Sequence, residues 1–264
     1  MKPRASPILT RAGEVADAWA LQSKVADRIS ALAAEGRAPT GFNVHFGNTL
    51  MRLTHYPEAL SYFDAAASEA ARTRNDRWVA HAAYMRGIAL VRTGRTPEAL
   101  TLFNDAEQHW RTTRLSNTRM LNELELQRGR VAREEGDFAT AKAKVDRVYP
   151  ALHYPESKTG AGISSALFAA AQTYPAAGDA AAVQGFARDG EAVANSIARK
   201  PEFSAHVAQA RLLLGKALVQ LKREREAAPV LQSAMESLSH GFGQDHPETL
   251  DAISTLTDCC RVRP

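Results

Sequence analysis

The chain has 264 residues, 45% of them hydrophobic and 23% charged, which excludes wholesale disorder and allows one or two globular domains or a single elongated repeat array. The formal charge is +4, yet acidic and basic residues alternate along most of the length, so a solvated mixed-charge surface is expected and nucleic-acid binding is not. No apolar run is long enough to span a membrane, and Met1 to Arg11 lacks the continuous apolar stretch of a secretory signal.

Residues 1–11 read as a flexible amino-terminus and residues 12–38 as a single capping helix, because Ala16, Trp19, Val25, Ile29 and Leu32 form an apolar stripe at helical spacing. From residue 39 the chain repeats. Gly47, Gly87, Gly129, Ala171 and Gly215 recur at intervals of 40, 42, 42 and 44 residues within helix-forming segments. Twelve residues beyond each stand Ala59, Ala99, Ala141, Val183 and Ala227, and four further on Phe63, Phe103, Val145, Ala187 and Leu231. A turn is expected seven residues after each member of the first column. Gly94, Gly136 and Gly178 supply the left-handed residue that ends a helix, and Pro57 and Pro97 suit the first turn of the next. The equivalent Lys222-Arg223-Glu224 lacks a glycine and marks its turn less clearly.

Each period therefore predicts two helices, A and B, joined by a tight turn. The windows are 39–75, 76–116, 117–157, 158–200 and 201–244, with 245–264 a half repeat; the fourth, around Ala171 and Val183, is the most degenerate. Pro247 to Arg261 reads as a lone helix A with Cys259 in the small-residue column, where a free cysteine packs as a small hydrophobe. Cys259 and Cys260 are the only cysteines, and adjacent residues cannot tie distant elements together. Reduced thiols and a cytoplasmic setting are expected.

Phe46-Gly47-x-x-Leu50 with Ala59-x-x-x-Phe63, and Arg86-Gly87-x-x-Leu90 with Ala99-x-x-x-Phe103, resemble the tetratricopeptide repeat, as does Leu214-Gly215-x-x-Leu218 with Ala227-x-x-x-Leu231. The period near 42 and the segment Gly243-Gln244-Asp245-His246-Pro247-Glu248-Thr249-Leu250 resemble the longer variety found in kinesin light chains and bacterial signalling proteins. The resemblance implies an all-α, right-handed α-α superhelix of about five helix pairs, with single helices at either end. It also implies that the small residues let helices A and B approach, while the large apolar residue packs against the next repeat.

In that family helix A lines the concave surface. Carried over by position, the groove residues are Asn48 and Arg52, then His81, Tyr84 and Arg92, then Leu126, Arg130 and Arg133. Val44, Met51, Ile88, Val91, Glu123, Glu134, Phe168, Gln172, Leu212, Lys216 and Gln220 complete the surface. Arginines beside aromatic and aliphatic groups suit an extended peptide whose carbonyls and carboxylates accept hydrogen bonds. A chaperone tail is not supported, since only Asn48 fits the two-carboxylate clamp.

Catalytic chemistry finds no footing. No phosphate-binding loop, Gly-x-Ser-x-Gly elbow, His-Glu-x-x-His or Cys-x-x-Cys motif occurs, and no two histidines are spaced as metal ligands on one helix turn. No cofactor or metal is expected. The expected function is a protein-interaction module that takes a peptide or partner protein in its groove. The alternative is the sensor region of a bacterial kinase or transcription regulator whose catalytic or DNA-binding part lies elsewhere.

Overall fold

The computed structural model describes residues 9–10, 13–35, 40–113, 118–152, 170, 172–174 and 179–260. The sequence positions Phe168, Ala171 and Gly178 lie outside them. The described elements are α-helices, with a short 3-10 turn at Pro201–Phe203. The helices are α1 (Val15–Ala34), α2 (Thr40–Arg52), α3 (Tyr56–Arg72), α4 (Asp76–Arg92), α5 (Thr96–Thr112), α6 (Thr118–Glu134), α7 (Phe138–Leu152), α8 (Ala180–Ile197), α9 (Ala205–Gln220), α10 (Glu224–Gly241) and α11 (Pro247–Cys260). Contacts divide the chain into two compact units, residues 1–7 with 17–127 and residues 8–16 with 128–264.

In the first unit α2 packs on α3, α3 on α4 and α4 on α5, and in the second α8 packs on α9, α9 on α10 and α10 on α11. Within each of these two runs a helix meets its neighbours in sequence, with A and B alternating, which is the tetratricopeptide-like solenoid packing of paired helices. The reason lies in the columns. A Cβ on Gly87 would stand 2.5 Å from Phe103 Cε1, one on Gly47 2.7 Å from Phe63 Cζ, and one on Gly215 2.5 Å from Leu231 Cγ. The large residue of helix B therefore lies over the glycine of its own helix A, as well as reaching forward: Phe63 shares a core with Leu50, Ala59 and Ala89 of the next pair. Gly129 is the exception, with Lys144 Cβ 3.4 Å from the corresponding point, an ordinary contact.

The turns obey the same phase. Seven residues after the glycine column, φ is +64° at Thr54, +75° at Gly94, +84° at Gly136 and +59° at Lys222. The hydrogen bonds repeat as well. Gly94 N–H donates to Val91 and Arg95 N–H to Leu90, Gly136 to Arg133 and Asp137 to Ala132, and Lys222 to Val219 and Arg223 to Leu218. These are the paired bonds of a Schellman ending, which satisfy carbonyls that the helix leaves open. The motif forms at Thr54 and Lys222 without glycine because the flanking helices fix it, at the steric cost of a side chain in left-handed backbone.

Four of the B helices start by one of two devices. Asp137 and Asp179 accept the N–H of Thr140 (3.0 Å) and Ala182 (2.9 Å). At the same phase Arg95 and Arg223 instead pair with Glu98 (2.6 Å) and Glu226 (2.7 Å) in the first turn. Acceptance of those bonds holds the Asp137 and Glu98 carboxyls below their ordinary values.

The amino-terminal stripe folds as its spacing requires: Trp19, Val25 and Leu32 pack around the buried Ile29–Phe46 contact. At the other end α11 has no following helix among the described residues, and Leu250 and Ile253 stay 52% and 40% exposed. No described helix is long and apolar enough to cross a membrane.

Candidate functional site

Helix A residues divide into those that packing consumes and those that it leaves to solvent. Tyr84 and Leu126 are only 5% exposed. The Tyr84 ring lies between Phe103 (centroids 6.1 Å) and Trp110 (5.6 Å), with His81 at 6.3 Å, so it belongs to the packing between α4 and α5. Val44, Val91 and Leu212 are likewise buried.

Asn48, Arg52, His81 and Ile88 are half-buried and Arg92 is exposed. On α2 the positions 41, 45, 48 and 52 lie along one helical face, and on α4 the equivalents are 81, 85, 88 and 92. Arg52 and Arg92 thus occupy the same place in the last turn of successive A helices. A cation there also complements the negative carboxyl end of its own helix, and that alone would account for either residue. Their repetition in phase with a half-exposed Asn48 and Ile88 gives the first unit a mixed apolar and basic strip.

In the second unit the phase of Asn48 and Ile88 carries Arg130 and Lys216, and Arg133 stands at the phase of Met51 and Val91. Arg133 donates from a terminal guanidinium nitrogen to Gln172 Oε1 at 3.1 Å, and Lys216 pairs with Asp251. Both bonds tie one helix A position to the next, so part of the basic row stitches adjacent repeats together. Gln209 does the same, donating to Glu248 at 3.0 Å.

Two features escaped the sequence. A cleft of about 300 Å³ opens between α3, α4 and α5, with Leu60, Leu90 and Leu102 among its lining and Asp64, Arg86, Arg95 and Glu98 at its charged positions. Arg86 pairs with Asp64 at 2.6 Å and Arg95 with Glu98, so its charges are matched within the chain. In the second unit the Tyr174 hydroxyl donates to Asp146, which Lys142 also pairs at 2.7 Å while lying 4.7 Å from the Tyr174 ring centroid. Burial alone would raise the Asp146 carboxyl, but the bonds from Lys142 and Tyr174 outweigh it and lower it. Burial and the bond to Asp146 raise Tyr174. Asp146 directly follows the Val145 column, yet Tyr174 sits in the degenerate repeat, where no pattern pointed to it.

Among the described residues no group of three or more His, Cys, Asp or Glu side chains could hold a metal ion. Cys259 is half-buried, its Sγ 3.6 Å from the Glu224 carbonyl of α10.

Comparison with known proteins agrees with this helical-repeat fold. Residues 42–112 match the family model described as tetratricopeptide repeat. No curated protein matches the chain by sequence. Among solved structures, the apo form of the quorum sensor NprR from B. thuringiensis aligns with TM-score 0.63 and 10% identity, covering 92% of this chain and 68% of that one. BtubC (BKLC) from P. vanneervenii aligns with TM-score 0.55 and 14% identity over 86% of this chain and 87% of that one. The APC/C hetero-tetramer Cut9-Hcn1 gives TM-score 0.56 and 14% identity over 96% of this chain and 47% of that one. At these identities the likeness is one of fold.

Proposed function

We propose that the chain is a protein-interaction module that binds an extended, acidic or carbonyl-rich peptide on the helix A surface of its first unit. The observation that carries this reading is the repeated strip of Asn48 and Arg52 on α2 and Ile88 and Arg92 on α4, left accessible by helices whose other faces are spent on packing. Guanidinium groups are suited to carboxylates and peptide carbonyls, and half-exposed aliphatic neighbours lower the local dielectric in which such bonds form. A hetero-tetramer among the structures that share the fold is in keeping with this role.

A place in a bacterial signalling chain is a finer reading of the same module. The shared fold of a quorum sensor supports it only at the level of fold.

The test is a random peptide display selection on the full chain, followed by titration of the selected peptide against Arg52→Glu/Arg92→Glu. Affinity is expected to fall at least about tenfold, since each charge-assisted bond contributes roughly 1.5–3 kcal/mol. Unchanged affinity would remove the strip from the binding surface.

A further inference from the structure

Proline opens α11 at position 247 and has no N–H to give, so the first donors that this helix leaves open belong to Glu248, Thr249 and Leu250. One residue takes all three. The His246 carbonyl accepts the N–H of Thr249 at 2.9 Å and of Leu250 at 3.0 Å, and its ring Nδ1 accepts the N–H of Glu248 at 3.2 Å. The Thr249 hydroxyl closes the turn by donating to the Gly243 carbonyl at 2.8 Å. A neutral imidazole has one acceptor nitrogen, and the bond from Glu248 requires it to be Nδ1, with the ring hydrogen on Nε2.

The ring is held in this pose. His246 is only 7% exposed and stacks on Phe242, the residue that ends α10, with centroids 4.2 Å apart and planes inclined by 27°. The helix A of the second pair, α4, is capped instead by Asn75, whose side chain accepts the Trp78 N–H at 3.4 Å and does not titrate. Titratable and charged groups reach this junction from three helices. On the α11 side Asp245 is exposed, Glu248 accepts from Gln209 of α9 at 3.0 Å, and Asp251 pairs with Lys216 of α9. From α9 comes also His206, buried, its Nδ1 3.4 Å from Gln209 Oε1, and from α10 His240, whose ring lies 4.7 Å from that of Phe203. The carboxylates attract an imidazolium, but in an imidazolium both ring nitrogens are donors. Two donors would then face each other at the positive end of a helix. The bond to Glu248 therefore belongs to the neutral ring alone.

We propose that His246 is an acid-released latch on α11: protonation of its ring withdraws the cap from Glu248 and frees the first turn of α11, with the Glu248–Gln209 bond, from α9. A bond made only by the neutral ring is present above the range in which imidazoles titrate and is lost as pH falls through it, so the turn is fastened at about pH 8 and loosened at about pH 5. The latch is independent of the helix A strip in the first unit.

Amide hydrogen exchange on the full-length chain, expressed as protection relative to the unfolded rate at each pH, tests it. Protection of Glu248, Thr249 and Leu250 is expected to fall at least about fivefold from about pH 8 to about pH 5, while Leu214 in α9 and Leu231 in α10 keep theirs. His246→Asn offers an acceptor that does not titrate and is expected to abolish the difference, whereas His206→Gln and His240→Gln are expected to retain it. In the wild type, magnetic resonance of the His246 ring is expected to give a titration midpoint that coincides with the loss of amide protection, a readout that needs no variant to fold. Equal protection at both pH values, a parallel loss at Leu214 and Leu231, a loss that persists in His246→Asn or vanishes in His206→Gln or His240→Gln, or ring and amide midpoints that differ would each overturn the latch.

Discussion

Gly87 lies under the ring of Phe103, sixteen residues further on, so closely that a single added carbon would stand 2.5 Å from Cε1. The relationship is repeated by Gly47 with Phe63 and by Gly215 with Leu231, but not by Gly129. Gly87→Ala is therefore expected to destabilise the chain by about 1–3 kcal/mol through overpacking. Gly129→Ala, which meets only ordinary contacts, is expected to stabilise by up to about 1 kcal/mol through helix propensity. Urea unfolding midpoints of the two variants should fall on opposite sides of the wild type.

Lys222 and Thr54 occupy the left-handed position that Gly94 and Gly136 occupy in the other turns. Replacing either with glycine relieves a strain of about 1–2 kcal/mol, less the extra entropy of glycine in the unfolded chain. A net gain of a few tenths to about 1 kcal/mol is expected for Lys222→Gly. Gly94→Ala should lose a comparable amount, and thermal unfolding would compare the two.

Asp137 caps α7 through Thr140, and its carboxyl lies below the ordinary 3.8. A depressed carboxylate contributes its full stabilisation above the unfolded-state value of about 3.9 and loses it as pH falls through the folded-state value. Asp137→Asn keeps an acceptor for the Thr140 N–H but cannot titrate. The stability difference between wild type and this variant is expected to be constant above about pH 5 and to change sign or shrink towards pH 2. Parallel curves over that range would show that the cap does not depend on charge.

Tyr84 and Arg92 both fall on the helix A positions expected to line a groove, yet their surroundings separate them. Tyr84→Ala is expected to cost about 3–5 kcal/mol by emptying the space between Phe103 and Trp110. Arg92→Glu, at an exposed site, should cost only about 1 kcal/mol, from reversing the charge at the carboxyl end of α4. Chemical denaturation of each variant distinguishes the two, and it shows which one can be used in binding assays without disturbing the fold.

The sequence alone determined the helix pairs. Glycine and large apolar residues sixteen apart cannot be in phase by accident of composition, and Gly94 and Gly136 require the turns in which they stand. The same period placed the turn at Lys222, where local residue type argued against it: the conformation is imposed by packing on both sides. The tertiary structure decided the rest, because it depends on which side chain lies nearest in space. Tyr84 is consumed by two rings on α5, Arg133 by Gln172, and Lys216 by Asp251, whereas Arg92 in the last turn of α4 stays exposed. A repeat period fixes the direction in which a residue points but not its partner across the next helix, so it could mark the helix A face without saying which arginines remain exposed on it. Nor could any pattern along the chain show that the Gly13 carbonyl would cap α9, since that bond joins segments that no repeat relates.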